Sequence, residues 1–152
     1  MVLIAVQNTG QSIKFANPRF LNHKEVGKAA VKSSGSSLFD LSSKLKDDEE
    51  IVLEAVKSFP ESIFFSSLRI KSNKVIAMEC VKRNGLTLQF LIDLNQDRDV
   101  VIEALRENLD SIEFVHKSLQ NDIFVYMEIN GMHHKLLPTN NYKKDILFTF
   151  LN

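Results

Sequence analysis

The stretch AVKSSGSSLFDLSSK, residues 30–44, has the composition of a serine-rich linker between two domains. Taken alone it would cut the chain in two. Set beside the rest of the sequence it becomes one turn of a recurring unit, and that choice decides the fold. Internal periods are sought first because a missed repeat changes the whole architecture. DDEEIVLEAVKSFPESIFF, residues 47–65, falls onto QDRDVVIEALRENLDSIEF, residues 96–114, almost position for position. SNKVIAMECVKRNGLTLQF, residues 72–90, lies between them, and NHKEVGKAAVKSSGSSLFD, residues 22–40, precedes them. The steps are 25, 25 and 24 residues.

The columns of this register are specific. One reads Val26, Ile51, Ile76, Val100, Val125. A small column reads Ala30, Ala55, Cys80, Ala104, and the next Val31, Val56, Val81, Leu105. Further along stand Leu38, Ile63, Leu88, Ile112, then Phe65, Phe90, Phe114, then Leu45, Ile70, Leu94, Leu119. Ala5, Val6, Ile13, Phe15 and Phe20 extend the same columns toward the start, while Asp40 interrupts the phenylalanines. SSGSS aligns with SFPES, RNGLT and ENLDS, so Gly35, Pro60 and Gly85 share a column of helix-stopping residues. The serines are a turn inside a unit.

Each unit therefore reads as two short helices. A capping column of His23, Asp48, Asn73, Asp97 and Asp122 precedes the first, since an Asp or Asn oxygen accepts an orphan backbone N–H. His23 breaks that rule, and Asn22 is the expected cap there. Apolar residues follow at the spacing of one helical stripe. Helices this short are marginal alone in water and find burial only against their neighbours. The expected fold is mostly α: an α-solenoid of stacked two-helix repeats, with units about 1–21, 22–46, 47–71, 72–95 and 96–121, closed by an atypical C-terminal cap over 122–152. For the cap two readings stand: a sixth first-helix over 122–129, or the slightly preferred β-hairpin around Asn130-Gly131 with strand-like residues 145–151. By the register Met1 stands within a unit, read as a piece of a longer array or an abbreviated first unit.

Composition narrows the function. Nineteen basic and nineteen acidic side chains give zero formal net charge, which argues against a general polyanion binder. No apolar run is long enough to span a membrane, and the opening MVLIAVQNTG lacks the features of a signal peptide. One cysteine cannot form an internal disulfide, so a reducing, cytoplasmic compartment is expected.

The unit that carries D-x-E/D-V/I-V-x-E-A-V/L, best seen in residues 47–65 and 96–114 and with an Asn84-Gly85 turn in the unit between, resembles the repeats of the domain-of-unknown-function family numbered 4116. The resemblance covers roughly residues 1–120. It implies tandem helical repeats, similar to ones in proteins of amoeba-associated intracellular bacteria, protists and large DNA viruses. It implies no catalytic residue. A cytosolic location in a host, as an effector, is what it would imply for a secreted protein.

Candidate chemistry is sparse. Cys80 stands in the small column and reads as a buried core residue. His133 and His134 are adjacent and would point to opposite faces of a strand, and His23, His116, Glu128 and Asp145 make no ligand spacing with them. Lys32, Lys57, Lys82 and Arg106 form a basic column, but Glu54, Glu79 and Glu103 stand three residues earlier and cancel its field. Phe65, Phe90 and Phe114 fit the core pattern. No cofactor, metal or catalytic residue is expected, and nucleic acid is disfavoured as a partner. The leading expectation is a non-catalytic protein-interaction module whose partner surface includes Arg69, Lys71, Lys74, Gln89 and Asp93; the alternative is a repeat segment of a larger enzymatic protein.

Overall fold

A computed structural model of the chain describes residues 1–120 and 122. The expected hairpin about Asn130-Gly131, the strand-like residues 145–151, and His133 and His134 lie outside the described residues. Among the described residues the chain is mostly helical and contains no strand.

Four α-helices of ten residues recur: α2 (Lys24–Ser33), α4 (Glu49–Ser58), α6 (Lys74–Arg83) and α7 (Arg98–Glu107). A shorter α1 (Val2–Asn8) precedes them. Asp48, Asn73 and Asp97 each accept two backbone N–H bonds at the start of their helix. The expected rescue of His23 by Asn22 does not occur: α2 has no side-chain cap, because the Asn22 oxygen accepts the Ser42 hydroxyl instead, at 2.9 Å.

The second half of each unit differs from expectation. After one residue of extended backbone comes a six-residue 3-10 helix: Gly10–Phe15, Gly35–Asp40, Pro60–Phe65, Gly85–Phe90 and Leu109–Phe114. The sequence explains the choice. Gly35, Leu38 and Leu41 are buried at a spacing of three, as are Gly85, Leu88 and Leu91. A helix with three residues per turn stacks positions three apart directly above one another, which suits that spacing. Two one-turn helices, α3 (Ser43–Lys46) and α5 (Leu68–Lys71), follow in the second and third units.

Consecutive α-helices pack on one another, α1 on α2, α2 on α4, α4 on α6 and α6 on α7. The 3-10 helices pack in the same order beside them. Between these two layers runs a continuous core made of the repeating columns, including Ala30, Ala55, Cys80 and Ala104, all fully buried.

The small column has a partner that the sequence pattern hides. Gly10 lies against the Ala30 carbonyl oxygen, Gly35 against that of Ala55, and Gly85 against that of Ala104. These three 3-10 helices thus start on the backbone of the next unit's α-helix. A Cβ at any of these glycines would overlap that carbonyl. The constraint is space, since none of the three glycines has a left-handed backbone. A buried hydroxyl column accompanies them: Ser37, Ser62, Thr87 and Ser111. Thr87 donates to the Asn84 carbonyl at 2.7 Å, whereas the hydroxyls of Ser37 and Ser62, and of Ser12 in the same register, have no partner.

Candidate functional site: a cleft at the register break

The one short step of the period, 24 residues instead of 25, has a structural address. In the second, third and fifth units the residue two places after the 3-10 helix is Ser42, Ser67 or His116. Ser42 and Ser67 cap α3 and α5 with their hydroxyls, and His116 Nδ1 accepts the Ser118 N–H at 3.3 Å. The backbone N–H of each also donates to the preceding unit: Ser42 to the Leu21 carbonyl, Ser67 to Lys46 and His116 to Asn95, at 2.9–3.1 Å. These three bonds stitch neighbouring units together.

The fourth unit places Ile92 at that position. Isoleucine has no oxygen to cap with, and one residue is missing between Phe90 and Leu94. No one-turn helix forms; residues 92–96 are turn, and the equivalent bond from the Ile92 N–H to the Lys71 carbonyl is not made. The Ser72 hydroxyl reaches across the gap to Asp93 instead.

A cleft of about 340 Å³ stands at this junction. Its apolar wall is Phe64, Leu68, Phe90 and Ile92, and its rim is Lys71, Gln89 and Asp93. Leu68 and Ile92 are 79% and 74% exposed. Lys71 lies 5.3 Å from the Phe64 ring centroid, a cation–π approach. Burial holds its ammonium below the ordinary lysine pKa.

The aromatic side chains extend the cleft into a run. Phe39 meets Phe65 edge-on at 5.2 Å, Phe65 meets Phe64 at 5.4 Å, and Phe64 meets Phe90 at 5.3 Å. Phe65 and Phe90, expected as core, are half-buried, and Phe39 and Phe64 are exposed. The run links the second unit to the fourth along one side of the 3-10 layer. Phe39, Phe64, Leu68 and Ile92 were not among the expected surface residues. The signal available for them was Ile92 standing in a column of Ser42, Ser67 and His116.

The five expected surface residues divide into two groups. Lys71, Gln89 and Asp93 come together at the cleft. Arg69 and Lys74 are held in ion pairs: Arg69 Nε is 3.0 Å from Asp47 and Nη1 2.7 Å from Glu49. Lys74 Nζ is 2.9 Å from Asp97 and 2.7 Å from Asp99, the capping carboxylate of α7 and its neighbour. The basic column is partly neutralised as expected. Lys57 lies 3.7 Å from Glu54 and Arg106 3.5 Å from Glu103. Glu79, however, takes Arg83 at 2.7 Å, one place beyond Lys82. Cys80 is fully buried, and burial pushes its thiol up to about 12. It is present as the neutral thiol at ordinary pH. Among the described residues no cluster of three or more His, Cys, Asp or Glu could hold a metal ion, and no helix is long and apolar enough to cross a membrane.

A second hollow, of about 480 Å³, lies against α1 and includes Met1, Ile4, Ala5 and Phe15. Ala5 is exposed here, whereas its column partners Ala30, Ala55, Cys80 and Ala104 are buried beneath a preceding 3-10 helix. This face is therefore the packing face of a unit.

The ion pairs between units give a pH dependence. Hydrogen bonds from Lys24 and then Lys28 hold the Glu50 carboxyl down at about 2, against an ordinary 4.5. A depressed carboxylate stabilises the fold above its unfolded pKa, and that contribution is lost as pH falls from about 4.5 toward 2. Glu50→Gln is expected to flatten the fall in melting temperature across that window. Since these side chains are exposed, added salt is expected to shrink the difference. Thermal unfolding of both proteins at pH 6 and pH 2.5 measures it; parallel acid profiles would show the pair to be energetically silent.

The profile of the family described as Domain of unknown function (DUF4116) matches residues 1–46 and 48–94, more than half of the chain. The chain belongs to this family. The seam between the two matched segments falls at Asp47, where the second unit gives way to the third. Each DUF4116 segment thus spans two of the short units, and the second one contains both walls of the cleft. No curated protein and no solved structure matches the chain.

Proposed function

We propose that the chain is a non-catalytic helical-repeat solenoid that binds another protein along the exposed aromatic side of its 3-10 layer. The observation that carries this reading is the unbroken run from Phe39 through Phe65 and Phe64 to Phe90, flanked by exposed Leu68 and Ile92. Aromatic side chains supply large contact area at little conformational cost, and clustered apolar exposure marks contact sites. The charged rim of Lys71 and Asp93 fits the usual anatomy of an apolar centre with a polar edge. Lys74 joins its unit to the next by ion pairs, Arg69 is paired within its own unit, and both contribute shape. A reducing, cytoplasmic compartment suits the buried, unpaired Cys80. An effector acting on a host protein is the narrower form of this reading and rests on the family resemblance.

A photo-crosslinking amino acid at Leu68 tests the proposal in cells that contain the natural protein. The expected outcome is a discrete protein adduct that is missing when the crosslinker is moved to Lys57. Once that partner is purified, Phe64→Ala is expected to weaken its binding about tenfold or more, the size expected of an interface anchor. Equal adducts from both positions, or binding indifferent to Phe64, would overturn it.

A further inference from the structure

We infer that the aromatic side of the first three units takes an acidic segment of the partner, whose carboxylates meet Lys14, Lys46 and Lys71 while its apolar residues meet the phenylalanines. The inference rests on the protein-binding reading and names the chemistry of the partner.

The cations of the molecule are handled in two ways. On the α-helices Lys24, Lys74 and Arg83 stand 2.7–2.9 Å from a carboxylate. Beside the 3-10 helices three lysines stand over rings instead. Lys14 is 4.8 Å from the Phe15 centroid, Lys46 is 5.5 Å from that of Phe39, and Lys71 is 5.3 Å from that of Phe64. Among the described residues none of the three enters an ion pair. Asp40, Glu61 and Asp93 belong to the same segments and hold none of them; Glu61 accepts from the Asn84 amide and Asp93 from the Ser72 hydroxyl. Burial alone displaces the Lys71 pKa, with no contribution from a carboxylate.

The register turns these pairs into a lane. Lys14, Phe39 and Phe64 share one column at steps of 25, and Lys46 and Lys71 share another. Phe65 is the ring between Phe39 and Phe64 and meets both edge-on. Over the second halves of the units, cations outnumber carboxylates in the first three and are outnumbered in the fourth and fifth. Residues 1–24 contain no Asp or Glu at all. The lane is therefore cationic and aromatic at one end of the stack.

That pairing sets the ligand class. An ammonium has three N–H donors, and a ring beneath it answers its charge without satisfying them all. A carboxylate can therefore bind while the ring stays in place. Phe39 and Phe64 are 60% and 55% exposed and ask for apolar surface beside that carboxylate. An acidic segment with large apolar residues supplies both. Adjacent units stack about 10 Å apart, close to the two turns between residues i and i+7 of a helix. Glutamates at that spacing reach Lys46 and Lys71 together. Single-stranded nucleic acid also joins charge to flat apolar groups, but it needs open ring faces for stacking. Here a lysine lies over Phe39 and over Phe64, and neighbouring rings crowd them at 5.2–5.4 Å.

The test uses the full chain and a labelled peptide, acetyl-ELAEFAAELAEFAA-amide, followed by fluorescence anisotropy. The peptide is expected to bind at least tenfold more tightly than the same peptide with glutamine at every glutamate. Its affinity is expected to fall at least threefold between about 50 mM and about 300 mM salt, as screening predicts. Lys46→Gln together with Lys71→Gln is expected to weaken binding tenfold or more. Lys32→Gln together with Lys82→Gln removes the same charge from the α-helices and is expected to change binding less than twofold. The glutamine peptide leaves the protein unaltered, so the inference stays falsifiable if a double variant is unstable. Failure of the acidic peptide to bind, equal binding of the glutamine form, or equal losses in the two double variants each overturns the inference. Tighter binding of a single-stranded oligothymidylate than of the peptide, lost with Lys46 and Lys71, would also overturn it and assign the lane to nucleic acid. A crosslinked protein partner whose binding depends on Phe64 but not on Lys46, Lys71 or salt would overturn this inference and leave the protein-binding reading standing.

Discussion

Gly35→Ala is expected to destabilise the protein by about 1–3 kcal/mol, the usual cost of forcing an extra carbon into a packed interior. The new Cβ would overlap the Ala55 carbonyl oxygen, and would stand 2.7 Å from Ser58 Oγ and 2.8 Å from Phe59 Cβ. Neither a backbone carbonyl nor a Cβ can turn aside, so two units must move apart. Gly27→Ala is the control. It adds the same methyl group within α2, but there the nearest atom is the free end of Leu45, 2.8 Å away. The other units already carry Val52, Ala77 and Val101 in that column, and alanine gains about 1 kcal/mol of helix propensity over glycine. Its effect is expected to be far smaller and to lie on either side of zero. Urea unfolding of the three proteins decides the matter; equal midpoints for Gly35→Ala and wild type would show that the contact between units is loose.

The second large effect is expected at Ile63. This side chain is fully buried, on a 3-10 helix of only six residues. Such a helix has poor hydrogen-bond geometry and little stability of its own. Its place is held by the apolar column of Leu38, Ile63, Leu88 and Ile112, packed under the α-helices. Ile63→Ala removes that anchor in a middle unit and leaves a cavity, at a cost of about 2–5 kcal/mol. Because each unit is buried against its neighbours, the loss is expected to weaken the contacts on both sides. Phe64→Ala, one residue on and 55% exposed, removes more atoms but is expected to cost less. An unfolding free energy for Ile63→Ala within about 1 kcal/mol of wild type would contradict the described core.

The period, the α-helix of each unit and its Asp or Asn cap were legible because they repeat at fixed columns, and a column averages out local noise. The buried aliphatic columns followed from the same register. The 3-10 form of the second helix was legible only in hindsight, in the spacing of three between Gly35, Leu38 and Leu41. The glycine column was read as helix punctuation. Its larger reason, contact with a neighbouring carbonyl, lies between units and leaves no trace in the local pattern. For the cleft, the step of 24 was in plain view, yet a missing residue has no side chain to catch the eye. Charge and exposure pointed to Lys71, Gln89 and Asp93. The same reasoning selected Arg69 and Lys74, because sequence does not reveal that Asp47, Glu49, Asp97 and Asp99 stand within reach.

The sealed hydroxyls of Ser37 and Ser62 carry one more implication. A buried polar group with no hydrogen-bond partner costs about 1–3 kcal/mol, and the chain bears that cost at successive joints. Replacing either hydroxyl by a small apolar group is accordingly expected to raise the melting point. The headroom sits inside the 3-10 helices, and so the molecule is held together more gently than its packing could provide.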